Sequence, residues 1–272
     1  MATIEDLSRL EATIAGNANL DTALSKPHIF PRAKEKITKI FDALADDERP
    51  VFLSLVARYS IYRDYDLIVS SLVGRLIDLF NVEQKITIST PYIEYPGIQK
   101  SAGLITYSAR AQLIENDIPK NRITITDLVP SRIIEGPVVV VDDFSGSGLT
   151  VTTAVKRLLD VGYAPENISV SLLYAMEGAI IEIQKLGVHV DAAFSSSRCL
   201  SDYNFSQAEG GVGAPAIYDR IESRIGVNAR NKRGFGQAEA LVSMMTTPNN
   251  TLPIFWFRGP KDLNWPCPFP RG

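Results

Sequence analysis

The acidic dipeptide Asp142-Asp143, followed at once by Phe144-Ser145-Gly146-Ser147-Gly148-Leu149-Thr150, is the segment of this sequence best equipped for chemistry. Two adjacent carboxylates are costly to desolvate unless ribose hydroxyls, backbone N–H groups or a divalent cation compensate them. The small residues that follow supply hydroxyl donors and a backbone free to approach a ligand. They lead into a predicted helix N-terminus, whose amides and dipole favour an anion. A ligand with a diol at one pole and a phosphate at the other satisfies both halves of the segment, and ribose 5-phosphate has that layout. An ordinary strand-to-helix link would account for the serines and glycines but would leave the second carboxylate without a purpose.

Other phosphate and nucleophile motifs predict different residues. A Walker A loop requires lysine directly before its last Ser/Thr, where Leu149 precedes Thr150. A dinucleotide fingerprint built on Gly146-Ser147-Gly148 requires glycine or alanine in place of Val151, and an acid after the loop instead of before it. The nucleophile elbow GxSxG fails at both serines, because Ser145 stands two residues before Ser147 and Asp143 two before Ser145. His28 and His189 are the only histidines, which leaves little room for Ser-His or His-metal schemes. Cys199 and Cys267 fall outside any CxxC spacing and read as small buried thiols.

The elements that must position the acidic segment are legible from periodicity. Val138-Val139-Val140-Val141 is an uninterrupted β-branched run, as expected of a strand covered on both faces. Val151, Ala154, Val155, Leu158 and Leu159 fall at i, i+3, i+4, i+7, i+8, with Gly162 where a C-cap belongs. Strands are predicted at Ile86–Ile88, Ile123–Ile125, Ile168–Ala175 and Val188–Phe194, and helices at Lys100–Asn116 and Ala179–Leu186. That alternation implies βαβ crossovers, a mainly parallel sheet, and ligand sites at the carboxyl ends of its strands. Before it, residues 4–14, the set Ile37, Ile40, Phe41, Leu44, and the stretch from Val51 to Phe80, with a break near Asp64-Tyr65-Asp66, read as helix. The expected organisation is an N-terminal helical extension over 1–82, an α/β core over 83–198 and an aromatic-rich C-terminal subdomain over 199–272 packed on the core.

Composition sets the outer bounds. With 272 residues, 45% of them hydrophobic, and a formal net charge of -3, the chain can bury a sizeable core and lacks the basic footprint of a dedicated nucleic-acid binder. The start Met1-Ala2-Thr3-Ile4-Glu5-Asp6 carries no basic n-region, and no apolar stretch is long enough to span a bilayer. A cytoplasmic protein is the expectation.

The segment Val138 to Thr150, VVVVDDFSGSGLT, resembles the 5-phosphoribosyl-1-pyrophosphate (PRPP) motif of type I phosphoribosyltransferases. The βαβ order from about Lys85 to Arg198 is similar to that family's Rossmann-like core. The resemblance implies that Asp142 and Asp143 hold the ribose hydroxyls, that Ser145, Gly146, Ser147, Gly148, Leu149 and Thr150 wrap the 5-phosphate, and that Mg²⁺ reaches the acids through ribose oxygens or water. It places the pyrophosphate loop between Pro91 and Ala102, with Lys100 and Ser101 as leaving-group contacts; Lys100 serves equally as a solvated charge opening a helix. It places the catalytic loop before the acidic strand, where only Val129 to Gly136 is available and Arg132 is the one cation. Gly234-Phe235-Gly236 and the run Thr247-Pro248-Asn249-Asn250-Thr251-Leu252-Pro253-Ile254-Phe255-Trp256 resemble a narrower group, the phosphoribosyltransferase-like proteins of prokaryotic conflict and antiphage systems, some encoded beside reverse transcriptases. That implies a defence-operon protein partner. Three readings stand at this point: a phosphoribosyltransferase or related N-glycosidic-bond enzyme, a PRPP or nucleotide sensor without turnover, and an effector restrained by a partner.

Overall fold

The structure is a computed structural model. It describes residues 1–26, 28, 30–63, 69, 70, 72–74, 76, 77, 85–92, 101–260 and 263–271. The chain divides into two compact units, residues 1–63 with 197–272, and residues 64–196.

The first unit begins with four helices, α1 (Ile4–Gly16), α2 (Ala18–Leu24), α3 (Ala33–Ala43) and α4 (Arg49–Arg58). A reciprocal cap starts α1: the Asp6 N–H donates to Thr3 Oγ1 at 3.1 Å, and the Thr3 N–H to Asp6 Oδ2 at 2.9 Å. The apolar stripe of α3 is buried as its spacing predicts, with Ile37, Ile40 and Phe41 fully enclosed. The helix expected to run on from Val51 stops at Arg58, and Ser60–Ile61 form strand β1 instead. Tertiary pairing overrides helical periodicity there, because the Ser60 N–H donates to Leu241 O at 2.9 Å and the Tyr62 N–H to Ser243 O at 2.8 Å. Asn19 closes β1's other edge: its Nδ2 donates to Ile61 O at 3.1 Å and its Oδ1 accepts the Ile61 N–H at 2.6 Å. Leu67, Leu79 and Phe80, read as further helix, lie outside the described residues.

The second unit is α/β, a parallel sheet flanked by helices. Its strands are β2 (Ile86–Ser89), β3 (Ile123–Thr126), β4 (Val138–Ser145), β5 (Ile168–Met176) and β6 (His189–Ser196). They lie in the order β3-β2-β4-β5-β6, and every pairing is parallel. Between them run α5 (Ser101–Glu115), α6 (Leu149–Asp160) and α7 (Glu177–Gln184). Val151, Ala154, Val155 and Leu158 of α6 pack with Val138 and Val140 of β4 and Ile168, Val170 and Leu172 of β5. Strand β4 runs four residues beyond the expected Val141, through the acidic pair to Ser145. It does so because β5 keeps register with it the whole way, Asp142 opposite Leu172 and Ser145 opposite Ala175.

The chain then returns to the first unit with α8 (Ala214–Arg224) and β7 (Val242–Ser243), which pairs in parallel with β1. The terminal segments share one core in which Tyr59 stands 4.5 Å from Phe255 and 4.6 Å from Phe269, ring centroid to centroid. Among the C-terminal aromatics Tyr218, Phe255 and Phe269 are fully buried in this core. The basic run Arg230–Arg233 is engaged internally at its end. Arg233 donates to both Asp219 oxygens at 2.8 Å and to Glu239 Oε1 at 3.2 Å.

Glu222, also buried here, accepts the Arg233 N–H at 2.8 Å, and burial pushes its carboxyl from 4.5 up to about 7. A carboxyl with a raised folded pKa costs stability above that pKa and nothing below its unfolded value, so this unit weakens as pH rises from 4.5 to about 7. In urea titrations across that window, Glu222→Gln should flatten the loss of stability; a slope equal to wild type's would assign it to other groups.

Candidate active site

The strand order reverses between β2 and β4, which are themselves paired. From β2 the chain leads to β3 on one side, and from β4 to β5 on the other, so the carboxyl ends of β2 and β4 flank a crevice of the kind where α/β sheets bind ligands. Register between β2 and β4 ends at Ser89 opposite Val140, while β4 continues to Ser145. The acidic pair therefore stands on the portion of β4 that projects beyond β2.

Consecutive side chains on a strand emerge on opposite faces, and the two acids differ accordingly. Asp142 is 5% exposed, and its Oδ1 accepts the N–H of Asp143 at 3.0 Å. Asp143 is half-buried. Tyr92, just after β2, completes the local charge field. Burial first, then the charges of Asp142 and Asp143, push its phenol far above the usual tyrosine range, so it remains a protonated donor beside the acids. Sequence reasoning named Tyr92 only as a member of a loop; the signal it offered was its place directly after the first core strand.

The rest of the segment makes the turn into α6. Ser145 is buried, Gly146 and Ser147 are half-buried, and Leu149 and Thr150 are exposed. Gly148 holds the turn with φ +78 in the left-handed region, and a Cβ there would lie 3.2 Å from Ala179 O, so glycine is needed for both reasons. The N–H groups of Leu149, Thr150 and Val151 belong to the first helical turn and have no acceptor within the helix. The Leu149 N–H reaches Ser147 Oγ only at 3.5 Å. The Leu149 side chain is exposed, so what it presents to the turn is its amide.

Of the other predicted residues, only Arg132 has a described side chain. Lys100 lies outside the described residues, and Ser101 opens α5 with its side chain undescribed. Arg132 is exposed on the β3–β4 connection. That connection is strapped at both edges of the sheet. At the carboxyl edge Ser89 Oγ donates to Leu128 O at 3.1 Å and the Val129 N–H to Tyr92 O at 2.8 Å. Toward the amino edge the Ile134 N–H donates to Tyr163 Oη at 2.6 Å, and Lys85 pairs with Glu135 at 2.5 Å. Arg132 lies between these anchors in the chain, two residues before the Tyr163 bond.

The donor set near β4 suits an indirectly held cation. Among the described residues no three His, Cys, Asp or Glu side chains converge as a cage. Mg²⁺ characteristically takes one or two carboxylates plus ligand phosphates and waters, which the half-buried Asp143 and its neighbour can offer. No helix among the described residues is long and apolar enough to cross a membrane.

No match is found among curated proteins. Among solved structures, orotate phosphoribosyltransferase from Aeropyrum pernix is 20% identical over 48% of this chain and 70% of its own, with a TM-score of 0.33. The AQ2163 protein from Aquifex aeolicus is 14% identical over 62% of this chain and 85% of its own, with a TM-score of 0.36. The orotate phosphoribosyltransferase of Mycobacterium tuberculosis H37Rv in complex with PRPP is 15% identical over 61% and 96%, with a TM-score of 0.31. A family model, PRTase-CE, matches residues 34–271, nearly the whole sequence. With the parallel sheet and the acidic strand end in place, that match decides the assignment: the chain belongs to the PRTase-CE family and is a phosphoribosyltransferase-like protein.

Proposed function

We propose that this chain binds PRPP, or a nucleotide built on ribose 5-phosphate, along Asp142 to Thr150, and that it passes the phosphoribosyl group to an acceptor in the cytoplasm. The observation that carries the reading is one continuous turn, fixed by Gly148, that sets two carboxylates at the strand end and first-turn helix amides without acceptors in the helix a few residues on. The carboxylates receive the ribose diol, and the amides of Leu149 and Thr150 with the hydroxyls of Ser145, Ser147 and Thr150 receive the 5-phosphate. Tyr92 adds a donor beside the diol. Bound Mg²⁺ would offset the charge of the pyrophosphate. In transfer, the acceptor's lone pair forms the new bond to C1 as the C1–O bond breaks, and pyrophosphate leaves with that electron pair. Lys100 and Ser101 are the leaving-group contacts in this scheme, and a role for Arg132 would require the β3–β4 connection to release.

A second reading has an observation of its own. The β3–β4 segment, where a mobile lid would be sought, is hydrogen-bonded at both edges of the sheet, which favours a sensor that binds ligand and signals to a protein partner, as in an antiphage effector. Calorimetry with PRPP, with and without Mg²⁺, tests what both readings share, and pyrophosphate release with a panel of nucleobases separates them. Mg²⁺-dependent binding is the expected result. Absence of binding in both buffers would overturn the assignment.

A further inference from the structure

Within the unit formed by residues 1–63 and 197–272, a cavity of ≈ 370 Å³ opens between α3 and the C-terminal segment. Lys36 and Lys39, one turn apart on α3, line it from one side, and Arg258 and Asn264 from another. Trp265 and Cys267 form its buried floor. The floor's own polar atoms are already engaged, with Trp265 Nε1 donating to Ile254 O at 3.2 Å and Cys267 Sγ to Trp256 O at 2.9 Å.

The charge around this cavity is one-sided. Among its described lining residues none is acidic. The carboxylate next to it, Glu35, accepts Lys39 at 2.8 Å but is also held by both nitrogens of the Arg32 fork, at 2.6 and 2.7 Å. One anion is thus shared between two cations, and no carboxylate among the described lining residues compensates Lys36 or Arg258, in a protein whose formal net charge is -3. Like charges gathered around a concavity repel one another, and an anion entering it relieves that repulsion. An arginine fork with two ammonium groups matches the several oxygens of a diphosphate better than a single carboxylate, and the volume falls in the range of small-molecule sites.

We infer that this cavity binds a small molecule bearing a diphosphate group, gripped by Lys36, Lys39 and Arg258, at a site separate from the Asp142–Thr150 turn. The inference stands independently of the PRPP reading. Burial pushes the Cys267 thiol up while Arg258 and Lys36 pull it back, in keeping with both cations lying beside the floor.

Inorganic pyrophosphate, titrated into the full chain in magnesium-free buffer and followed by calorimetry, should bind. The double variant Lys36→Gln/Arg258→Gln should weaken that binding by roughly ten-fold or more, since each charge-assisted contact is among the stronger hydrogen bonds. Lys36→Arg should retain it, and Asp143→Asn should leave it unchanged. Lys36 is half-buried and Arg258 exposed, so melting curves should show both variants folded. Equal affinity in wild type and the double variant would overturn the site. So would a changed affinity in Asp143→Asn, because without magnesium the loss of a carboxylate strengthens anion binding only if the pyrophosphate sits at the acidic turn.

Discussion

Asp143→Asn should weaken PRPP binding by roughly ten- to a hundred-fold in the presence of Mg²⁺, the loss expected when a charge-assisted contact to a ligand hydroxyl or its cation is removed. Its effect on the fold should be small. Asp143 is half-buried, its N–H bond to Asp142 survives the substitution, and repulsion from the adjacent carboxylate is relieved. Asp142 differs, because it is buried and its Oδ1 holds the Asp143 N–H. Asp142→Asn keeps an oxygen for that bond, whereas Asp142→Ala removes it and should lower the melting temperature as well as affinity. Calorimetry on the three variants, with thermal melts beside it, separates ligand contact from scaffold. PRPP binding to Asp143→Asn with wild-type affinity would remove the acid pair from the site.

Gly234→Ala should be the most damaging small substitution in the first unit, at about 3–5 kcal/mol, against about 5–15 kcal/mol for a whole fold. Gly234 adopts φ +79 and ψ 157, a conformation essentially confined to glycine. A Cβ there would also lie 2.6 Å from the carbonyl carbon of Asn250. That close approach is locked. The Phe235 N–H donates to Asn249 O at 2.7 Å, Asn250 Nδ2 to Phe235 O at 2.8 Å, and the Ala240 N–H to Asn250 O at 3.1 Å. The methyl group has to push apart a pair of chain segments held by these three hydrogen bonds. A fall in melting temperature on the order of 10 °C is expected by differential scanning calorimetry. A shift within about 2 °C would mean that this backbone crossing yields easily. The paired C-terminal motifs, Gly234-Phe235-Gly236 and Thr247–Trp256, thus act on each other as scaffold, and Asn249 and Asn250 work in the turn.

What the sequence determined on its own was local. The run Val138–Val141 followed by two acids, serines and glycines specified a buried strand, a costly charge pair and a helix start, because each depends on the few residues around it. The faces of α3 and α6 were equally legible, since burial with a period of 3.6 is written directly into residue order. Only the tertiary structure decided which faces meet. It paired Ser60 with Val242, joined both termini around Phe255 and Phe269, brought Tyr92 to the acids, and built a cationic cavity from α3 and the C-terminal segment. Periodicity reports that a side chain is buried, but its partner is set by shape and hydrogen-bonding fit between segments far apart in the chain. No local pattern encodes that fit.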